Sequence, residues 1–302
     1  MGSNTIIETS SAVEPNIAVS QEGRPRARTT VRLSWLIVTA LTAAVYGNTL
    51  VELAKDWWND PNAAHGLLVP PLAGYIAWKR KNLTLAVPPA PNLHGLAVIF
   101  AACMLLLIGN LGAEYFLSRT SFVLFLAGLT YTFWGAERLR TLGFPLVLLS
   151  TMTPIPSLVY NAAALPLQLF ASQMAGNVAQ AFGVSVYQEG NVIQLANTSL
   201  GVAEACSGLR SLSALAVMAL LVGSLQFRRP ISRVLLFLVA FPISVFVNVV
   251  RVSGTALIAD YDERLAMGFY HTFSGWLVFL AGIVLVLGSA HLLSRVMERG
   301  RA

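Results

Sequence analysis

The chain has 302 residues, 56% of them hydrophobic and only 11% charged, with a mean hydropathy of +0.66. Soluble domains carry roughly a quarter charged residues, so a soluble globular protein is excluded and an all-α polytopic membrane protein is indicated. The net charge of +6 does not point to nucleic acid, because the Lys and Arg stand in short clusters between apolar runs, where they act as topology signals.

Residues 1–30 are polar and end in the basic cluster Arg24, Arg26, Arg28 and Arg32. They read as a disordered cytoplasmic tail without the apolar core of a cleavable signal, ahead of a single transmembrane domain, 31–302. The first span is about Leu33–Leu53, leading into the aromatic turn Trp57-Trp58-Asn59-Asp60-Pro61, which suits a membrane interface. A second, about Gly66–Trp78, is short and contains Pro70-Pro71, so it is expected to bend or to lean on its flanks. A third (about Gly95–Leu111), a fourth (about Ser121–Gly135) and a fifth (about Leu142–Thr153) follow, separated by a turn with Glu114 and Arg119 and by Glu137-Arg138-Leu139-Arg140.

Residues 157–203 break the pattern. Leu158–Phe182 reads as a helix interrupted by Pro166, with too many amides (Gln168, Gln173, Asn177, Gln180) for a lipid-facing span. It is expected at the extracytoplasmic interface or against the bundle. The β-branched alternation around Glu189-Gly190-Asn191 predicts a small β-hairpin outside the membrane. Three spans close the chain, about Ser207–Leu225, Ile231–Ala259 and His271–Leu293, giving about eight in all.

With the basic clusters inside, both termini are cytoplasmic. Cys206, at the start of the sixth span, is then on the outer side. A helix advances 1.5 Å per residue, so about 20 residues cross the ~30 Å apolar core. Counting inward from Cys206 and outward again from Ile231 puts Arg251 on that same side, and the last span opens there at His271. A nucleophile, a fixed cation and an acid–base group therefore share one membrane face. Each alone has a plainer reading: a small packing residue, a snorkelling arginine, an interfacial histidine. Together they can perform acyl transfer. Cys206, at a helix N-terminus, would attack a carbonyl carbon as thiolate. His271 would move the proton and Arg251 would stabilise the oxyanion. Arg210, one helical turn on from Cys206, would add positive charge, and Glu204, Asn248 and His65 are supporting candidates. No metal site is expected, since the outer His and Cys lack ligand spacing, and no cofactor is implied. Cys103 lies in an apolar run, too far to pair with Cys206.

Glu204-Ala205-Cys206-Ser207-Gly208-Leu209-Arg210-Ser211, Asn248-Val249-Val250-Arg251-Val252 and Gly268-Phe269-Tyr270-His271 resemble the three signature blocks of the exosortase/archaeosortase family. Asn59-Asp60-Pro61, His65-Gly66-Leu67-Leu68-Val69-Pro70, Leu165-Pro166-Leu167-Gln168 and Gln188-Glu189-Gly190-Asn191-Val192-Ile193 extend the likeness to roughly residues 33–295. The resemblance implies a bacterial inner-membrane cysteine transpeptidase with Cys206, Arg251 and His271 as its catalytic residues. Its partners would be exported proteins bearing a short motif such as Pro-Glu-Pro, a transmembrane helix and a basic tail, often linked to exopolysaccharide production. The fused C-terminal domain of some members is expected to be missing. A plain membrane protease is the near alternative, and a non-enzymatic carrier or polysaccharide-export component the distant one, in which Cys206→Ser would be almost silent.

Overall fold

The computed structural model describes residues 24–196, 198–202, 208–266 and 270–298. The chain divides into two compact units, residues 1–48 and 49–302. The described part of the first is the N-terminal portion of one long helix, α1 (Arg24–Asn59), which begins inside the basic cluster, ahead of the apolar stretch that starts at Leu33.

The second unit continues α1 and is almost wholly helical. After a 3-10 turn (Ala64–Leu68) come α2 (Val69–Lys79), α3 (Lys81–Ala86), α4 (His94–Leu111), α5 (Tyr115–Trp134), α6 (Ala136–Ser150) and α7 (Ser157–Ala181). A small sheet follows, then α8 (Leu209–Gln226), α9 (Pro230–Tyr261), the short turn α10 (Glu263–Leu265) and α11 (His271–Leu293). Among the described residues, six helices are long and apolar enough to cross a membrane: α1, α4, α5, α8, α9 and α11, the last extended to Met297. This is a multi-pass membrane protein. The second and fifth of the eight expected spans exist as α2 and α6, but at 11 and 15 residues they reach only about 16 and 22 Å, short of a ~30 Å apolar core. Pro70 and Pro71 lie in the first turn of α2, where a missing N–H costs no hydrogen bond.

α7 runs through Pro166 instead of breaking there. It buries a narrow stripe of small residues (Ala164, Ala171, Ser172, Ala175, Gly176, Ala179) together with Gln168, and packs on α9. Leu158, Leu165, Leu169 and Phe170 stay exposed in its first half, whereas Gln173, Asn177 and Gln180 are exposed in its second. That gradient from apolar to amide matches a helix leaving a membrane interface.

The expected hairpin is present as β1 (Val186–Glu189) and β2 (Val192–Leu195), paired antiparallel with Glu189 opposite Val192. Gly190 takes φ +59 at the tight turn, where a side chain would be strained. A third strand, β3 (Ser199–Gly201), adds to the far edge of β2. Ile193, Leu195, Leu200 and Val202 bury their side chains with Ala171 and Ala175 of α7 and Val252 and Ala256 of α9. The sheet thus caps the end of α9 that carries Arg251.

Candidate functional site

Two ends of the second unit are marked by side-chain hydrogen bonds and ion pairs. At one, the Arg80 guanidinium donates to the Thr141 carbonyl (3.3 Å), Arg138 donates to the Val87 carbonyl (2.9 Å), and Arg233 donates to the Phe227 carbonyl (2.8 Å). Arg80 also feels the charge of Arg233. Three of the basic clusters therefore share this end. At the other, Arg119 pairs with Asp56 (2.6 Å) and is itself almost fully buried. The Trp57 indole donates to the Met152 carbonyl (2.9 Å), and Arg210 donates to the Asn62 side chain (3.1 Å). The turns expected to lie together, at Asp56–His65, near Arg119 and after Met152, do so.

At this second end the cysteine block is anchored on both flanks. Ahead of it, Val202 N–H donates to the Asn191 carbonyl (2.8 Å) and the Asn191 amide donates back to the Val202 carbonyl (3.2 Å). Gln188 ties the same hairpin to Ser172 of α7 (2.9 Å). Behind it, the Gly208 carbonyl accepts from Leu212 N–H (2.8 Å) and from the hydroxyls of Ser211 (2.8 Å) and Ser244 (3.2 Å). Gly208 has φ +82, a left-handed conformation, and the Asn248 side chain presses on it so closely that an added methyl would lie 3.1 Å from Asn248 Cβ. Cys206 and Glu204 lie outside the described residues. Helix α8 starts only at Leu209, so the helical turn expected between Cys206 and Arg210 is interrupted at Gly208. Arg210, exposed, holds the Asn62 loop instead.

From Gly208 the contacts run to the other two candidate helices. Asn248 is buried, and Arg251 follows one turn on. The Arg251 guanidinium lies over Gly275 of α11: a methyl built there would be 3.6 Å from Nη2 and 3.7 Å from Cζ. Gly275 is one turn after His271, the first residue of α11. The His271 side chain lies outside the described residues. Its neighbour Tyr270 sets its hydroxyl against Gly254 of α9, leaving no room for a methyl. The start of α8, Arg251 and the first turn of α11 therefore converge.

His65 sits on the opposite side of α8, in the 3-10 turn. Burial pushes its pKa below the usual imidazole value, and hydrogen bonds to the Thr151 and Asn62 backbone oppose that only in part. It borders a cavity of about 490 Å³ whose rim carries Asp60, Asn62, Thr153, Ser157 and Asn161. The cavity floor is apolar, formed by Leu212, Ala216, Val217 and Leu220 of α8 with Phe237 and Phe241 of α9. Sequence reasoning missed this cavity, together with Asn191, Ser244 and Gly275. The block around Gln188–Asn191 was the one available signal for the first of these.

The family profile described as transmembrane exosortase matches residues 57–288, about three quarters of the chain. The chain belongs to the exosortase family. Membership makes it, in general terms, a membrane protein-sorting enzyme, and the matched stretch takes in both flanks of the cysteine block, Arg251 and His271. No curated protein and no solved structure matches it.

Proposed function

We propose that this exosortase is a cysteine peptidase or transpeptidase that cleaves the C-terminal sorting signal of exported membrane-anchored proteins. Cys206 is its nucleophile, His271 its acid–base group and Arg251 its oxyanion stabiliser. The observation that carries the reading is the convergence, through Asn248 on Gly208 and Arg251 on Gly275, of the three chain segments that hold these residues. The basic end faces the cytoplasm of the inner membrane and the site end faces outward.

In the first step the Cys206 thiolate bonds to the scissile carbonyl carbon, and the tetrahedral oxyanion lies against the Arg251 guanidinium, whose charge is fixed and delocalised. The C–N bond then breaks as the His271 imidazolium gives its proton to the leaving amine, leaving a thioester. In the second step water or an acceptor amine attacks that thioester, loses a proton to the imidazole and expels the thiolate. A site at the apolar boundary limits water and favours the amine. Substrates of this kind carry a short Pro-Glu-Pro-like motif ahead of a transmembrane helix and a basic tail.

Hydroxylamine tests the covalent step. Added to membranes processing a co-expressed substrate, it should intercept the thioester and leave a C-terminal hydroxamate on the product. Processing that never yields hydroxamate would argue for direct attack by water and against Cys206 as nucleophile.

A further inference from the structure

The cavity beside α8 has no role in the chemistry above, yet its position and lining are specific. One face of the first turns of α8 packs on Ser244 and Asn248; the other face, with Leu209, Leu212 and Ser213, lines the cavity. Leu209 is three residues after Cys206. We propose that this cavity is the subsite that receives the substrate chain next to the scissile bond, unwound from its helix. The assignment rests on the peptidase reading.

A helix about 10 Å wide occupies roughly 420 Å³ per turn, so a cavity of about 490 Å³ holds a short segment and not a spanning helix. An unwound segment in apolar surroundings exposes peptide N–H and C=O groups that must find partners in the protein. The rim offers them in Asn62, His65, Ser157 and Asn161. The Thr153 hydroxyl, also on the cavity wall, is 5% exposed and has no hydrogen-bond partner among the described residues. Buried hydroxyls are normally bonded, so Thr153 supplies a hydrogen-bonding position that a substrate peptide can fill. Helix α6 ends at Ser150 on the cavity wall, and its 15 residues stop short of a bilayer's apolar thickness. A phospholipid headgroup fits less well. The described lining residues include the carboxyl of Asp60 and no Lys or Arg, so a phosphate would find no guanidinium or ammonium partner there.

Site-specific photo-crosslinking tests this. A photoreactive residue is placed at Ser157 or Ala216, on the cavity wall, and at Leu225, which is exposed on α8 away from it. Each variant is co-expressed with a sorting-signal substrate in the Cys206→Ala background, which holds the substrate uncleaved. Crosslinks from Ser157 and Ala216, but not from Leu225, to substrate residues flanking the cleavage position are expected. With Cys206 intact, Ala216→Phe should fill the cavity and lower processing at least about tenfold, and Thr153→Val about threefold, the loss of one buried hydrogen bond. If the wall positions crosslink only to lipid, or to nothing, while the wild type processes its substrate, the subsite assignment fails and the peptidase reading stands. Full processing by Ala216→Phe also overturns it. A wild type that processes no substrate removes both.

Discussion

The Arg251 guanidinium rests directly on Gly275, close enough that a methyl there would meet it at 3.6 Å. Gly275→Ala, at ordinary van der Waals distance, is expected to keep most activity. Gly275→Leu should push the guanidinium off the first turn of α11 and lower substrate processing about 100-fold, the scale of losing one oxyanion donor. The helix itself tolerates leucine well, so protein levels should be unchanged. A gel-shift assay of a co-expressed substrate measures both. Equal activity in the two variants would show that Arg251 needs no fixed position.

Gly208 is held left-handed under Asn248, with its carbonyl bonded to Ser211, Leu212 and Ser244. Gly208→Ala would meet both the left-handed penalty of about 1–2 kcal/mol and the side chain of Asn248. The variant should melt several degrees lower in detergent and lose processing out of proportion to its stability, because the strain falls two residues from Cys206. Asn248→Gly, which removes Cβ as well as Cγ and Nδ2 from the contact, should partly restore stability to Gly208→Ala. Additive losses in the double variant would contradict the packing described.

His65 gives the protein a pH-dependent stability. Burial lowers its folded pKa, so the folded state favours neutral imidazole, while the unfolded chain titrates near 6.5. Between the folded pKa and about 6.5 the unfolded chain holds more protons. The contribution is therefore complete above about pH 6.5 and is lost as pH falls from there through the folded pKa. Melting temperatures from pH 8 to 5 should decline less steeply for His65→Gln than for the wild type. Parallel curves would show that His65 is solvated in the folded protein.

Much of the fold was readable because membrane helices announce themselves by length and flanking charge. α4, α9 and α11 start within a residue of their expected positions, and β1–β2 turn at Gly190. What was not readable depends on partners distant in sequence. Arg119 was read as part of a turn; it is a buried helical residue that pairs with Asp56, on α1. β3 has three residues, too few to show alternation. α2 is apolar like a span and is set apart by its length, whereas α6 also takes Glu137, Arg138 and Arg140 into its first turns. Gly208 gave no sign that the helix would begin after it, since its left-handed turn is fixed by Ser244 and Asn248, more than thirty residues on. The candidate site was expected as residue types on one face, and of these Arg251 and Asn248 are described, beside the first turn of α11 and the start of α8. The contact of Arg251 with Gly275 and the cavity behind α8 belong to packing, which local pattern does not encode.

The central claim, that Cys206 is a catalytic nucleophile, is tested most directly by comparing wild type with Cys206→Ala on a co-expressed protein bearing a Pro-Glu-Pro-type motif, a transmembrane helix and a basic tail. The wild type should shorten the substrate, and Cys206→Ala, at equal membrane abundance, should leave it at full length. Normal shortening by Cys206→Ala would contradict the account.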